Sequence, residues 1–485
     1  MDDRHGTGPS GMTSIGRRTL LAAPATLATL ATLPAWAATP VRPSKRPPPS
    51  ERRFHSAAVE REIVRVKRLI ADPKLAWMFE NCYPNTLDTT VLTVTDDDAF
   101  VITGDIPCLW LRDSSAQLRP YLHLAASDPA LTKLFRGLIA RQARCVLIDP
   151  YANAFLQDPT ARTDLDSSQH DQTEMKPGVA ERKWEVDSLC YVLRLASSYW
   201  RATKDRAPFT AEWAQSARAI VRTFREQQRR DDSGSYRFQR SSVQPTETQL
   251  WSIGNPTRKV GLIHSSFRPS DDATILPFLI PANIFAARTL RELAVVATEA
   301  RGDTALATDA AALAAEIEAA LAAHGRMRLA DGSEVWAFEV DGFGNALFMD
   351  DCCELSLSGL AFLGCAAPDD PLWRHTEAAA WSERNPWFVR GRAGEGLGGP
   401  HAGFDLIWPM ATLVRAASSG DDALIRACLK SIRDTDADTG FIHETFHKDD
   451  PTRFTRPWFA WANGLLGELI VSLARDKPLT IRQPL

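Results

Sequence analysis

The stretch Val186-Asp-Ser-Leu-Cys-Tyr-Val-Leu-Arg-Leu-Ala-Ser-Ser-Tyr-Trp-Arg-Ala-Thr203 sets Val186, Leu189, Cys190, Leu193 and Trp200 three, four or seven positions apart. That is the period of a helix with one apolar face. The same spacing recurs over Val59 to Ile70, Ala130 to Ile148, Ala211 to Gln227, Ile284 to Ala300, Ala305 to Ala323, Leu355 to Leu363, Leu406 to Ala417, Asp422 to Asp434 and Trp458 to Ala474. Alternation with a period of two is confined to Val91 to Ile102 and Gly332 to Val340, read as β excursions in loops. So many helices imply a bundle, a solenoid or a toroid of helical hairpins, and the lack of a tandem repeat favours a closed toroid. The expected class is all-α with short β excursions.

Composition sets outer bounds. The 485 residues are 44% hydrophobic and 24% charged, which fits a large folded core and excludes a disordered or fibrous chain. With 56 basic and 60 acidic residues the net charge is -4, so no nucleic-acid partner is expected. Eight cysteines without a C-x-x-C pair suggest neither a disulfide scaffold nor a zinc ribbon. Residues 1–37 read as a twin-arginine export signal: Arg17-Arg18, a weakly apolar Ala/Thr/Leu run, then Ala35-Trp36-Ala37. Pro24, Pro34 and the threonines interrupt that run, so no stable membrane anchor is expected after cleavage, and the product should be periplasmic or secreted. Residues 38–53 are Pro-rich and basic and read as a linker; residues 54–485 read as a single domain.

The loops between the helices carry Trp, Arg, Asp, Gly and Pro in unusual density. They include Trp110-Leu-Arg112-Asp113-Ser, Lys183-Trp184-Glu185-Val-Asp187, Arg268-Pro-Ser270-Asp271-Asp272 and Asp341-Gly-Phe-Gly-Asn345 with Met349-Asp350-Asp351. Further along stand Gly398-Gly-Pro-His401, His443-Glu444-Thr-Phe-His447 and Phe454-Thr-Arg456-Pro-Trp458-Phe-Ala-Trp461-Ala-Asn463. Aromatic faces beside carboxylates and guanidinium groups suit a sugar site, since pyranose C–H faces stack on rings and hydroxyls need donors and acceptors. Any one of these loops alone is also explained by helix capping and surface ion pairing.

Taken together and in this order, the motifs resemble those of glycoside hydrolase family 125, the exo-acting α-mannosidases, from about residue 55 to residue 475. The resemblance implies an (α/α)6 barrel and hydrolysis of non-reducing-end α-1,6-linked mannose from manno-oligosaccharides or N-glycan fragments. It also implies inversion at the anomeric carbon, with neither metal nor cofactor.

Inversion requires two carboxyl groups about 6.5 to 9.5 Å apart, one protonated to assist the leaving oxygen and one ionised to activate water. The resemblance places the acid at Asp271 or Asp272, with Asp271 preferred, and the base at Glu444. Ser270-Asp271-Asp272 also reads as a helix start, with a capping side chain and favourable acids. His443-Glu444-Thr-Phe-His447 also fits the H-E-x-x-H zinc-peptidase motif, which needs both histidines on one face of a long helix. Gly440 and Lys448-Asp-Asp-Pro451 make that helix a poor expectation. An exported, non-catalytic glycan-binding protein is a further alternative. The resemblance makes Arg112, Asp113, Arg268, Asp350, Asp351 and His401 contacts to sugar hydroxyls, and Trp184, Trp408 and Trp458 stacking surfaces. The chain departs from the family pattern at Cys352-Cys353-Glu354-Leu355, where A-N-V-P is usual, and at Asp405-Leu406, where a Gly-Tyr pair is usual.

Overall fold

Twelve helices of eight residues or more run through residues 42–351 and 353–485, the part of the chain that this computed structural model describes. They divide into two kinds by burial. Leu111–Leu118 buries every side chain it has, and Val186–Thr203, Ile280–Val296, Pro409–Ser418 and Ala460–Asp476 bury most of theirs. Helices buried on nearly all sides form an inner layer. They pack on one another: Leu111–Leu118 on Val186–Thr203, that helix on Ile280–Val296, and Ala460–Asp476 on both Leu111–Leu118 and Pro409–Ser418. The second kind is amphipathic and lies outside, as Ala211–Gln227 does on Pro129–Ile148, Thr304–His324 on Ile280–Val296, and Asp422–Asp434 on Pro409–Ser418.

Local chemistry sets many helix starts. Asp72, Asp128, Asp303, Asp370 and Asp421 each accept backbone N–H bonds from the first turn of the helix that follows, and Thr210 does so for Ala211–Gln227. Each such cap is worth about 1 kcal/mol. Proline at the first helical position of Pro73–Cys82, Pro129–Ile148 and Pro371–Ala380 removes an N–H that would have no partner there.

The β structure is short and positional. Val91–Val94 pairs with Ala99–Val101 as expected, and Glu334–Trp336 pairs with Arg326–Arg328. Leu109–Trp110, Phe278–Leu279 and Leu406–Ile407 each lead directly, or within one residue, into an inner helix. Thr445–His447 lies between Leu406–Ile407 and Asp450–Thr455 in a three-stranded sheet. These strands bring the motif loops to the N-terminal ends of the inner helices.

Several expectations are corrected. Leu355 to Leu363 is not an α-helix: the buried carboxylate of Asp350 takes the N–H groups of Leu357 and Ser358, leaving bends, turns and a single 3₁₀ turn at Ser358–Leu360. Gly359 is required there, because a Cβ would stand 2.1 Å from the Glu354 carbonyl oxygen. Leu111–Leu118, Pro73–Cys82 and Pro371–Ala380 are helices that periodicity did not single out.

The described part of the Pro-rich segment is fixed to the domain, and the compact unit begins at Arg42, not near Phe54. Arg46 donates to both carboxylate oxygens of Asp88 and of Glu60, Trp77 Nε1 donates to Pro43 O at 2.7 Å, and Lys45 N donates to Asn81 Oδ1 at 2.9 Å. Residues 1–37, read as an export signal, lie outside the described residues. Among the described residues no helix is long and apolar enough to cross a membrane.

Candidate active site

Three inner helices start at one pocket, which residues in or just before their first turns line. Arg112 and Asp113 lie in the first turn of Leu111–Leu118, Trp408 and Phe459 immediately precede their helices, and Trp461 is in the first turn of Ala460–Asp476. Glu185 precedes Val186–Thr203. Helix N-termini carry partial positive charge, so they favour anionic side chains at this end of the molecule. Trp110, Trp408, Phe459 and Trp461 give the pocket aromatic walls, and Asp113, Asp271 and Glu444 give it carboxyl groups.

Asp271 owes its position to its backbone. Its φ of 70° is left-handed, a conformation that costs an L-residue about 1 kcal/mol and that Asp tolerates better than most. The surrounding turn holds it there: Asp271 N donates to Arg268 O at 2.9 Å, and Arg268 N donates to Asp272 O at 2.8 Å. No helix begins at Ser270-Asp271-Asp272, so the capping explanation fails. The Asp271 side chain is 31% exposed and lines the pocket, whereas Asp272 is 1% exposed and receives a bond from Ser270 Oγ at 3.3 Å.

The electrostatics run against the geometry at first sight. Burial would raise the Asp271 carboxyl, but Lys183 and Arg112 outweigh it and pull it down to about 2. Burial, reinforced by the charge of Asp351, pushes Asp272 up to about 6. Asp272 thus holds a proton more readily but does not line the pocket, and only Asp271 of the two can reach a substrate there. Around Asp271, Arg112 Nη1 donates to Glu185 Oε2 at 2.7 Å and to Asp187 Oδ2 at 3.2 Å, and Lys183 Nζ lies 4.0 Å from Asp271 Oδ1. Burial, with Asp187 and Asp271 adding to it, pushes Glu185 well above the usual carboxyl range. Burial also raises Asp113, against the pull of Arg112.

Glu444 stands at the start of the hairpin Thr445–His447 and Asp450–Thr455. It accepts from Thr455 Oγ1 at 3.0 Å and lies 3.5 Å from Arg456 Nε. Because Thr445–His447 is a strand, the two histidines do not share a helix face. His443 is 1% exposed, has both ring nitrogens on backbone carbonyls and stacks on Phe454 at 3.7 Å. The zinc-peptidase geometry is therefore overturned. Among the described residues no group of three or more His, Cys, Asp and Glu could hold a metal ion.

The pocket thus gathers Asp271, Glu444, Arg112, Asp113, His401 and Trp408 from the residues singled out by sequence. The others stand elsewhere. Trp184 is fully buried, donates through Nε1 to His264 O at 2.7 Å and packs on Tyr151 and Phe224, so it is core and presents no face to a sugar. Arg268 is 2% exposed and bonds Glu339 Oε1 at 2.6 Å. Asp350 is fully buried and accepts from Leu357 N, Ser358 N and Ser358 Oγ, while burial pushes it up to about 7. Asp351 accepts from Ser270 Oγ at 2.6 Å, one residue from Asp271. Trp458 packs over Gly104 outside the pocket lining. Conversely, Trp110, Trp461 and Arg456 line the pocket and had been quoted only as parts of motifs, and Cys353 lines it at one of the family departures.

Carboxyl groups set among indole faces and a buried guanidinium define a carbohydrate-processing site. The family model of metal-independent α-mannosidases, glycoside hydrolase family 125, matches residues 72–471. A metal-independent α-mannosidase of Streptococcus pneumoniae, solved in a non-productive complex with α-1,6-mannobiose, aligns at TM-score 0.82 and 35% identity over 87% of this chain and 98% of its own. The meiotically up-regulated gene 157 protein of Schizosaccharomyces pombe is 39% identical over 462 residues, 91% of this chain and 90% of that protein. A family 78 rhamnosidase of Bacillus sp. GL1 shares the fold alone, at TM-score 0.50 and 14% identity over 84% of this chain and 35% of its own. The chain belongs to glycoside hydrolase family 125 and is a glycoside hydrolase, an α-mannosidase.

Proposed function

We propose that this α-mannosidase removes non-reducing-end α-1,6-linked mannose from manno-oligosaccharides or N-glycan fragments, with inversion, Asp271 serving as general acid and Glu444 as general base. The observation that carries the roles is that Asp271 and Glu444 line one pocket from different elements, a left-handed turn and the residue that leads into a hairpin. The relative from Streptococcus pneumoniae supports the linkage, since its complex holds α-1,6-mannobiose. A pocket walled by Trp110, Trp408, Phe459 and Trp461 suits a chain end, which supports exo action.

In this mechanism Asp271 protonates the glycosidic oxygen as the bond to the anomeric carbon breaks. Glu444, steadied by Thr455 and Arg456, removes a proton from the water that attacks the opposite face. Arg112 and Asp113, held beside Asp271, are placed to bind hydroxyls of the terminal sugar. The inner layer of helices and the layer packed outside it support the (α/α)6 barrel. Residues 1–37 read as a twin-arginine signal that directs the enzyme to the periplasm or outside the cell, without a stable membrane anchor after cleavage.

The deciding experiment is hydrolysis of α-1,2-, α-1,3- and α-1,6-mannobiose in EDTA, with proton NMR of the first product. Chelator-resistant release of β-mannose from the α-1,6 isomer is expected. Early α-mannose would refute the two-carboxylate roles, and preference for another isomer would refute the linkage. For export, fusion of residues 1–37 to a reporter should give export that Arg17→Lys with Arg18→Lys abolishes.

A further inference from the structure

We infer that Lys183 is a positioning residue for the catalytic acid: its ammonium clamps the backbone carbonyl of Asp271 and so holds the left-handed turn that presents the acid to the glycosidic oxygen. This role rests on the assignment of Asp271 as acid. It extends that assignment to Lys183, which stands in the Lys183-Trp184-Glu185 motif without a task of its own.

A deeply buried lysine ordinarily pairs directly with a carboxylate, because an uncompensated ammonium is costly out of water. Lys183 is 3% exposed, yet its Nζ stands 3.9 Å from Glu181 Oε1 and 4.0 Å from Asp271 Oδ1, beyond hydrogen-bond reach of either. It donates instead to Asp271 O at 3.1 Å, with the Phe267 ring centroid 5.3 Å away on another side. The cation that faces the acid's carboxyl thus also grips the acid's own backbone.

The other bonds of the turn do not reach this carbonyl. Asp271 N donates to Arg268 O and Arg268 N to Asp272 O, which closes the loop, and Ala273 N donates to Thr246 O at 2.6 Å, which ties its far end. Among the described residues, the donor that orients the Asp271 carbonyl is Lys183. A φ of 70° at a residue other than glycine persists only where its surroundings fix it from several sides. Relaxation to a negative φ would swing the carboxyl away from the pocket. Lys183 is itself anchored: its N donates to Asn153 Oδ1 at 3.0 Å, and the next carbonyl, Trp184 O, accepts from Ser266 N at 3.1 Å and Phe267 N at 3.0 Å. Buried Trp184 therefore ties the strand of chain that carries the lysine to the segment that leads into the turn.

Lys183→Met keeps the apolar stem and removes the ammonium, so the turn loses its clamp. Misplacement of the acid is expected to lower kcat on α-1,6-mannobiose by about 10²-fold with KM little changed. Much milder loss is expected on an aryl mannoside, whose leaving group needs no protonation. A crystal structure of the variant should show Asp271 at negative φ with its carboxyl withdrawn from the pocket. An unmoved turn would reduce Lys183 to a charge near the acid, and equal losses on both substrates, or none, would reduce it to a structural residue; each of these results overturns the inference. Where Lys183→Met fails to fold, Lys183→Gln, neutral and polar but shorter, must show the same selective loss and displaced turn, and an unselective effect there also overturns it. Asp271→Asn keeps the two claims apart. If it does not lose mannobiose hydrolysis selectively, the assignment of the acid fails and the role of Lys183 with it; if it does and Lys183→Met does not, only the role of Lys183 fails.

Discussion

In the doublet Asp271-Asp272 the first carboxyl is turned into the pocket on a left-handed backbone, with a shielded oxygen that receives no N–H. In Asp350-Asp351 the first carboxyl is knotted into its own loop by Leu357 N, Ser358 N and Ser358 Oγ. The same two letters in sequence thus do opposite work. Donor count decides which: a carboxyl saturated by three donors shapes a loop, and one left short of donors is available for proton transfer. Ser270, which precedes the first doublet, links it to the second by donating through Oγ to Asp351 Oδ2 at 2.6 Å. The loop built by Asp350 therefore braces the turn that presents Asp271.

The largest effects should fall on the reacting carboxyls. Asp271→Asn and Glu444→Gln are each expected to lower turnover on mannobiose by about 10²- to 10⁴-fold while leaving a folded protein, as Asn is at home in a left-handed turn. The Asp271 variant should keep far more activity on an activated aryl mannoside than the Glu444 variant, because protonation is dispensable there and water activation is not. Steady-state kinetics on both substrates checks the pair. Loss of stability without that substrate selectivity in Asp271→Asn would erase the contrast between the doublets.

Asp350→Ala should do the reverse. It leaves three buried donors without an acceptor, for an expected cost of about 3 kcal/mol in urea unfolding. Activity per folded molecule should fall far less than in Asp271→Asn.

Asp272 sharpens the contrast through pH. Its folded value of about 6 lies above its ordinary 3.8, so the folded state prefers it neutral. The stability this group contributes is present below about pH 4 and is lost as pH rises through 6. Asp272→Asn, neutral throughout, should therefore gain about 2 kcal/mol at pH 7 to 8 and nothing near pH 4. Thermal unfolding across that range checks it, and a turnover loss as deep as that of Asp271→Asn would shift the acid to Asp272. The smallest effect is expected for Ser270→Ala, which cuts the brace between the doublets at a cost of about 1 kcal/mol. A rise in KM larger than the fall in kcat would show that the brace sets where Asp271 meets the sugar.

Helix extent was largely legible because its causes are local. Val186–Thr203, Ala211–Gln227 and Asp422–Asp434 end where their apolar period ends, and Asp or Thr caps mark two of the three starts. Leu355 to Leu363 was misread because the carboxylate that claims its N–H groups comes from Asp350, outside the window in which a period is judged. Trp184 reads in sequence as a stacking surface only because burial is invisible there. Tyr151 and Phe224, which enclose it, are 33 and 40 residues away.

What the sequence determined by itself is the helical class, the sugar-directed chemistry of the loops and, through ordered motifs, the resemblance to an α-mannosidase family. Each depends on residue type and on spacing along the chain, which folding does not alter. What only the tertiary structure decided is which of those residues share the pocket. Asp271 rather than Asp272 faces it because a turn closed by Arg268 and Asp272 sets one left-handed φ, and Trp110 and Trp461 become walls because two inner helices start side by side. The charge on Asp271 depends in turn on Arg112, Lys183 and Glu185, which come from other elements. Protonation in a buried cluster is set by every charge within a few ångströms, and only the folded chain brings those charges together.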